Sequence, residues 1–159
     1  MRPWLPLALA ALSACGGATA EPLAPAAPAE LTLTVVGTND LHGRVGALPV
    51  LAGYLGVLRA LRADDGALVV LDGGDMFQGT LESNLLEGAP VVEAYGALGY
   101  DAVTVGNHEF DYGPVGDATV ARGPSDDPRG ALLARAAEAD YPFLAANLRR
   151  AGGAPLGWP

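Results

Sequence analysis

The chain has little of several things, and each scarcity excludes something. There is one cysteine, Cys15, so no internal disulfide can form. Nine Lys+Arg stand against 18 Asp+Glu, a formal net charge of −9. Nine scattered cations do not make the basic face of a nucleic-acid binder, so no polymer of that kind is expected as a partner. The same acidity argues against a bare-protein site for an anionic substrate. For a phosphate ester, bound cations have to supply the positive charge. The one early apolar run, within residues 1–14, is far shorter than the ~20 residues that span a bilayer. No internal repeat occurs. Histidine is also scarce: only His42 and His108.

What is present begins with an export signal over residues 1–14, with Arg2 as its positive end and Leu5, Leu7, Leu9 and Leu12 in its apolar part. It ends in Leu12-Ser13-Ala14-Cys15, which resembles the lipobox of bacterial lipoproteins. That resemblance implies lipidation at Cys15 and a membrane anchor facing the periplasm or exterior. Ala18-Thr19-Ala20 offers a competing cleavage site that releases a soluble protein. Residues 15–30 form a Pro/Ala-rich linker, extended and unable to pack. The globular part starts near Leu31 and runs to residue 159.

Apolar runs then alternate with helical patterns. Residues 31–36 (LTLTVV), 67–71 (ALVVL), 101–105 (DAVTV) and 143–146 read as strands. Residues 48–63, 81–98 and 131–140 read as helices, the second broken near Gly88-Ala89-Pro90. Residues 113–130 are rich in Gly, Pro and Asp and read as a long surface loop. The order β-α-β-α-β-α-β predicts an α/β fold with a mostly parallel sheet covered on both sides. Sites in such sheets form beyond the carboxyl ends of the strands.

Three motifs lie there. Thr38-Asn39-Asp40-Leu41-His42-Gly43 follows the first strand, Gly73-Gly74-Asp75 the second and Gly106-Asn107-His108-Glu109 the third. Alone, each is weak: a turn, another turn, a helix start capped by Asn107. Together they sit about 30 residues apart, the size of one βαβ unit, and use both histidines. Asp40, His42, Asp75 and Asn107 supply oxygen and imidazole donors without thiolate. That set suits Mn, Fe, Zn or a similar divalent metal. Asp75, flanked by ligands from both neighbouring strands, is the candidate bridge between two ions about 3.5–4 Å apart.

These strings resemble the calcineurin-like metallophosphoesterase signature. TNDLHGR, GGDMFQGT and GNHEFDYG resemble more narrowly the exported 5′-nucleotidase / 2′,3′-cyclic phosphodiesterase family, over residues 31–147. The resemblance implies a two-metal hydrolase of nucleotides or other phosphate esters. Asp40 and His42 bind the first metal, Asp75 bridges, and Asn107 binds the second. His108 stabilises the transition state and helps the leaving group depart, and Asp111 orients it. Glu109 and Gln78 match the motif without a catalytic role, and Glu109 is expected to hold the loop.

The family also takes later histidines, including a Gly-His-x-His stretch, and a carboxy-terminal domain that binds the nucleoside. This chain has no histidine after His108. The expectation is an amino-terminal part of a larger enzyme, with an incomplete metal set and little activity of its own. A lipid-anchored binding module that keeps the fold without turnover is the alternative. No protein partner is expected.

Overall fold

The computed structural model describes residues 30–154. The export segment, Cys15, the alternative cleavage site and nearly all of the linker lie outside the described residues. Four strands are present: β1 (Thr32–Thr38), β2 (Gly66–Asp72), β3 (Ala102–Thr104) and β4 (Phe143–Leu144). All pair in parallel, in the order β1-β2-β3-β4. The β1–β2 ladder is the longest, from Thr32↔Gly66 to Thr38↔Asp72. The expected strands are all found, with ends moved by one or two residues.

Helix α1 (Leu48–Arg62) crosses from β1 to β2, turning Leu48 and Leu55 into the core. Arg59 donates from Nη2 to the carbonyl of Leu98 (2.5 Å), which fastens α1 to the next helix layer. The β2–β3 crossover holds α2 (Leu81–Asn84) and α3 (Ala89–Leu98), interrupted where the sequence predicted a break. Thr80 caps α2 by accepting from the Ser83 amide, and Gly99 ends α3 in a left-handed conformation (φ 68°). Helix α4 (Gly130–Glu138) precedes β4. No helix or strand occurs between Tyr112 and Gly130, as the loop composition predicted.

The core lies between the sheet and the helices. Leu55, Val70, Phe77, Val91, Tyr95, Val103 and Leu132 are its buried centre. The sheet is covered on one face only among the described residues, which corrects the expectation of two. The reason is topological: right-handed crossovers between strands in unbroken 1-2-3-4 order place every helix on the same side. The uncovered face carries Leu33 (60 % exposed), Val35 (57 %) and Leu144 (49 %). The Thr/apolar alternation of β1 therefore runs opposite to a simple reading. Its threonines turn toward the helices, and two of its large apolar residues turn away.

Candidate metal centre

The loops leaving β1 and β2 stay zipped together past the strand ends. The Gly73 amide donates to Thr38 O (2.7 Å), Asp40 to Gly74 O (3.0 Å), His42 to Asp75 O (3.1 Å) and Gly43 to Met76 O (2.9 Å). Three of the predicted ligands sit in left-handed backbone: Asp40 (φ 55°), His42 (φ 48°) and Asp75 (φ 58°). Such conformations cost roughly 1–3 kcal/mol each and persist where the surroundings over-determine them. The four inter-loop bonds are that over-determination.

The loop after β3 joins from the other side. Gly74 (φ 99°) backs onto Gly106 so closely that a Cβ there would stand 2.7 Å from the Gly106 nitrogen. A Cβ on Gly106 would in turn run into the Asp75 carboxylate. Only two glycines let these loops meet. The contact is then locked by Glu109, which is fully buried. Its Oε1 accepts the amides of Met76 (2.8 Å) and Phe77 (3.1 Å), and its Oε2 those of Asp75 (3.0 Å) and Gly106 (2.6 Å). Burial pushes Glu109 above the usual glutamate range while these four amides pull it back. Glu109 thus holds the loop, as its place in the motif suggested.

The convergence brings His42, Asp75 and His108 together. One ligand atom from each lies within 4.8 Å of the others, and all three side chains are half-buried. The imidazoles meet edge to face, with centroids 4.8 Å apart. The His108 amide donates to Asp75 Oδ1 (3.0 Å). Asp40 stands on the outer side, with Oδ1 3.5 Å from His42 Nε2 and Oδ2 accepting from Asn39 Nδ2. Asn107 is exposed and directly precedes His108, at the N-cap of the 3₁₀ turn His108–Phe110. Its side chain makes no capping bond. Asp111 Oδ2 lies 2.6 Å from His108 Nδ1. That bond raises His108 above the ordinary histidine value, with the charges of Asp111, Asp75 and Glu109 adding to it.

The donor chemistry fits a divalent cation. Two imidazoles and a carboxylate converge in a half-exposed cleft rich in negative charge, with no thiolate. Residues given no role from the sequence also build the site. Tyr112 Oη accepts the Gln78 amide (3.0 Å) and donates to Asn84 Oδ1 (3.0 Å), which ties the second loop to α2. Asp72 is buried below the cleft and accepts from Thr38, Tyr95 and Gly74. Its only sequence signal is a carboxylate closing the apolar run 67–71.

A parallel α/β sheet whose strand-end loops gather His, Asp and His has the donors of a candidate divalent-metal site. Residues 33–142 match the calcineurin-like phosphoesterase family, and the chain belongs to it. Calcineurin-like phosphoesterases use divalent metals. The chain is 38 % identical over 133 residues to a snake venom 5′-nucleotidase of Gloydius brevicauda, covering 76 % of this chain and 20 % of that protein. It is 31 % identical over 151 residues to the 5′-nucleotidase of Vibrio vulnificus, covering 89 % of this chain and 25 % of the relative. A 5′-nucleotidase precursor from Thermus thermophilus shares the fold (TM-score 0.55, 30 % identity) over 72 % of this chain and 22 % of that one. The chain therefore spans a fifth to a quarter of the length of these relatives.

Proposed function

We propose that this chain carries the amino-terminal metal-binding part of an exported phosphoesterase acting on nucleotides. The observation that carries the reading is the gathering of His42, Asp75 and His108 at consecutive strand ends. Similarity to 5′-nucleotidases supports the substrate class. Asp40, His42, Asp75 and Asn107 would hold the metal ions, with Asp75 placed between the donors of the two neighbouring loops. When bound, such ions polarise a phosphoryl oxygen and generate hydroxide at neutral pH.

The chain's own residues do the rest. Asp111 takes Nδ1 of His108, so Nε2 is the ring nitrogen left for substrate. With Asp111 on Nδ1, a charged His108 ring is stabilised, able to stabilise developing negative charge and hand a proton to the leaving oxygen. The strained, amide-bonded loops hold Asp40, His42 and Asp75 in place before substrate arrives.

Two histidines supply a short ligand set, so metal binding is weak and turnover low. Phosphate release from AMP with Mn²⁺ or Zn²⁺ tests the function. Release is expected to be slow, to stop with a chelator and to fall to background in His108→Ala. Release indifferent to the chelator refutes the metal reading, and fast release refutes the short-set argument. Export as a lipoprotein anchored through Cys15 is part of the proposal. Acyl labelling lost in Cys15→Ala supports it, and an unlabelled parent chain refutes it.

A further inference from the structure

We propose that Asp72 is a positioning residue that sets the spacing between the Asp40 and Asp75 loops, and so the affinity of the centre for metal. The proposal rests on the metal-centre reading above. Asp72 is 2 % exposed, and its carboxylate reaches both loops. Oδ1 accepts the Gly74 amide at 2.8 Å, and Gly74 is bonded directly to Asp75 in the chain. Oδ2 accepts from Thr38 Oγ1 at 2.6 Å, two residues before Asp40.

The Gly74 peptide completes the linkage. Its nitrogen is held by Asp72, and its carbonyl accepts the Asp40 amide at 3.0 Å. Any shift of Gly74 therefore moves Asp40 relative to Asp75.

One tyrosine bonds the carboxylate directly, and a second reaches it through Thr38. Tyr95 Oη donates to Asp72 Oδ2 at 2.9 Å. Thr38 spends its one hydroxyl proton on Asp72, so the 2.8 Å contact between Thr38 Oγ1 and Tyr100 Oη has Tyr100 as donor. The two rings stack 3.9 Å apart and 9° from parallel. The network thus runs from α3 through Asp72 to both loops, and every member is buried or half-buried. Buried polar groups with all partners satisfied hold one geometry rather than several. Partners behind metal ligands typically change affinity by about 10–100-fold when removed.

The test is Mn²⁺ titration by calorimetry on the whole chain, with amide exchange at Gly74 and Asp40 as a readout that needs no metal. Tyr95→Phe deletes one buried hydroxyl from the network. Tyr141→Phe is the matched control: it deletes a buried hydroxyl that donates to Val92 O (3.2 Å), away from the loops. Tyr95→Phe and Thr38→Val are expected to raise the Mn²⁺ Kd about tenfold. They should also speed exchange at Gly74 and Asp40, while Tyr141→Phe does neither. Asp72→Asn keeps an oxygen for Gly74 and should bind better than Asp72→Ala. Equal weakening by Tyr95→Phe and Tyr141→Phe would reduce the network to general stability and overturn the proposal. So would wild-type affinity in Tyr95→Phe. A wild-type chain that binds no Mn²⁺ overturns the metal centre itself. Exchange then decides the clamp alone: unchanged rates at Gly74 and Asp40 in Tyr95→Phe refute it.

Discussion

Replacing Glu109 by glutamine changes one atom and tests whether the loops are held as described. The glutamate is fully buried, and each of its two oxygens accepts two backbone amides. In Glu109→Gln one oxygen becomes an NH₂ group that faces two N–H donors. Flipping the amide only moves the conflict to the other pair. Two buried donors lose their acceptor, at about 1–3 kcal/mol each, so the expected loss is roughly 2–6 kcal/mol. Typical domains have about 5–15 kcal/mol in total. With a urea m-value of about 1–3 kcal/mol/M, the midpoint should fall by about 1 M or more. Urea unfolding followed by far-ultraviolet circular dichroism measures this. Glu109→Ala leaves all four donors but opens a space that water can enter, so it should be no worse than Glu109→Gln. A Glu109→Gln midpoint within the error of the parent would show that the four bonds do not hold the loops, and the reasoning would fail.

Two further outcomes follow from the same geometry. The His108 ring should titrate above the ordinary histidine value in the metal-free chain, and Asp111→Asn should bring it down, as read by NMR. Because the folded value is raised, this pair stabilises the fold below the ordinary histidine pKa and the contribution is lost as pH rises through the folded value. No shift on Asp111→Asn would contradict the assignment. The uncovered sheet face, with Leu33 and Val35 at its edge strand, predicts self-association that grows with concentration. Val35→Lys should reduce it in sedimentation runs, and a parent chain that stays monomeric at every concentration would contradict the prediction.

Much of the fold was legible because its signals are local. Short apolar runs marked all four strands, and Gly88-Ala89-Pro90 marked the break before α3. The three motifs were legible for the same reason: each is a few contiguous residues following a strand, and the sheet order brings the strand ends side by side. The Asp72 network was not legible. Its members, Thr38, Asp72, Tyr95 and Tyr100, are up to 62 residues apart and meet only through packing. Which way β1 faces was not legible either, for a related reason. Alternation of Thr with Leu and Val shows that one face differs from the other. Which face turns inward is decided by the crossovers and by the Asp72 carboxylate waiting for Thr38.

The proposed function depends on these three loops making a metal centre. Anomalous diffraction from crystals of the chain loaded with Zn²⁺ tests that most directly. The expected result is a metal between His42 and Asp75, within about 2.0–2.2 Å of a donor atom on each. A structure with no metal there, or with the ion bound only by other surface carboxylates, would contradict it.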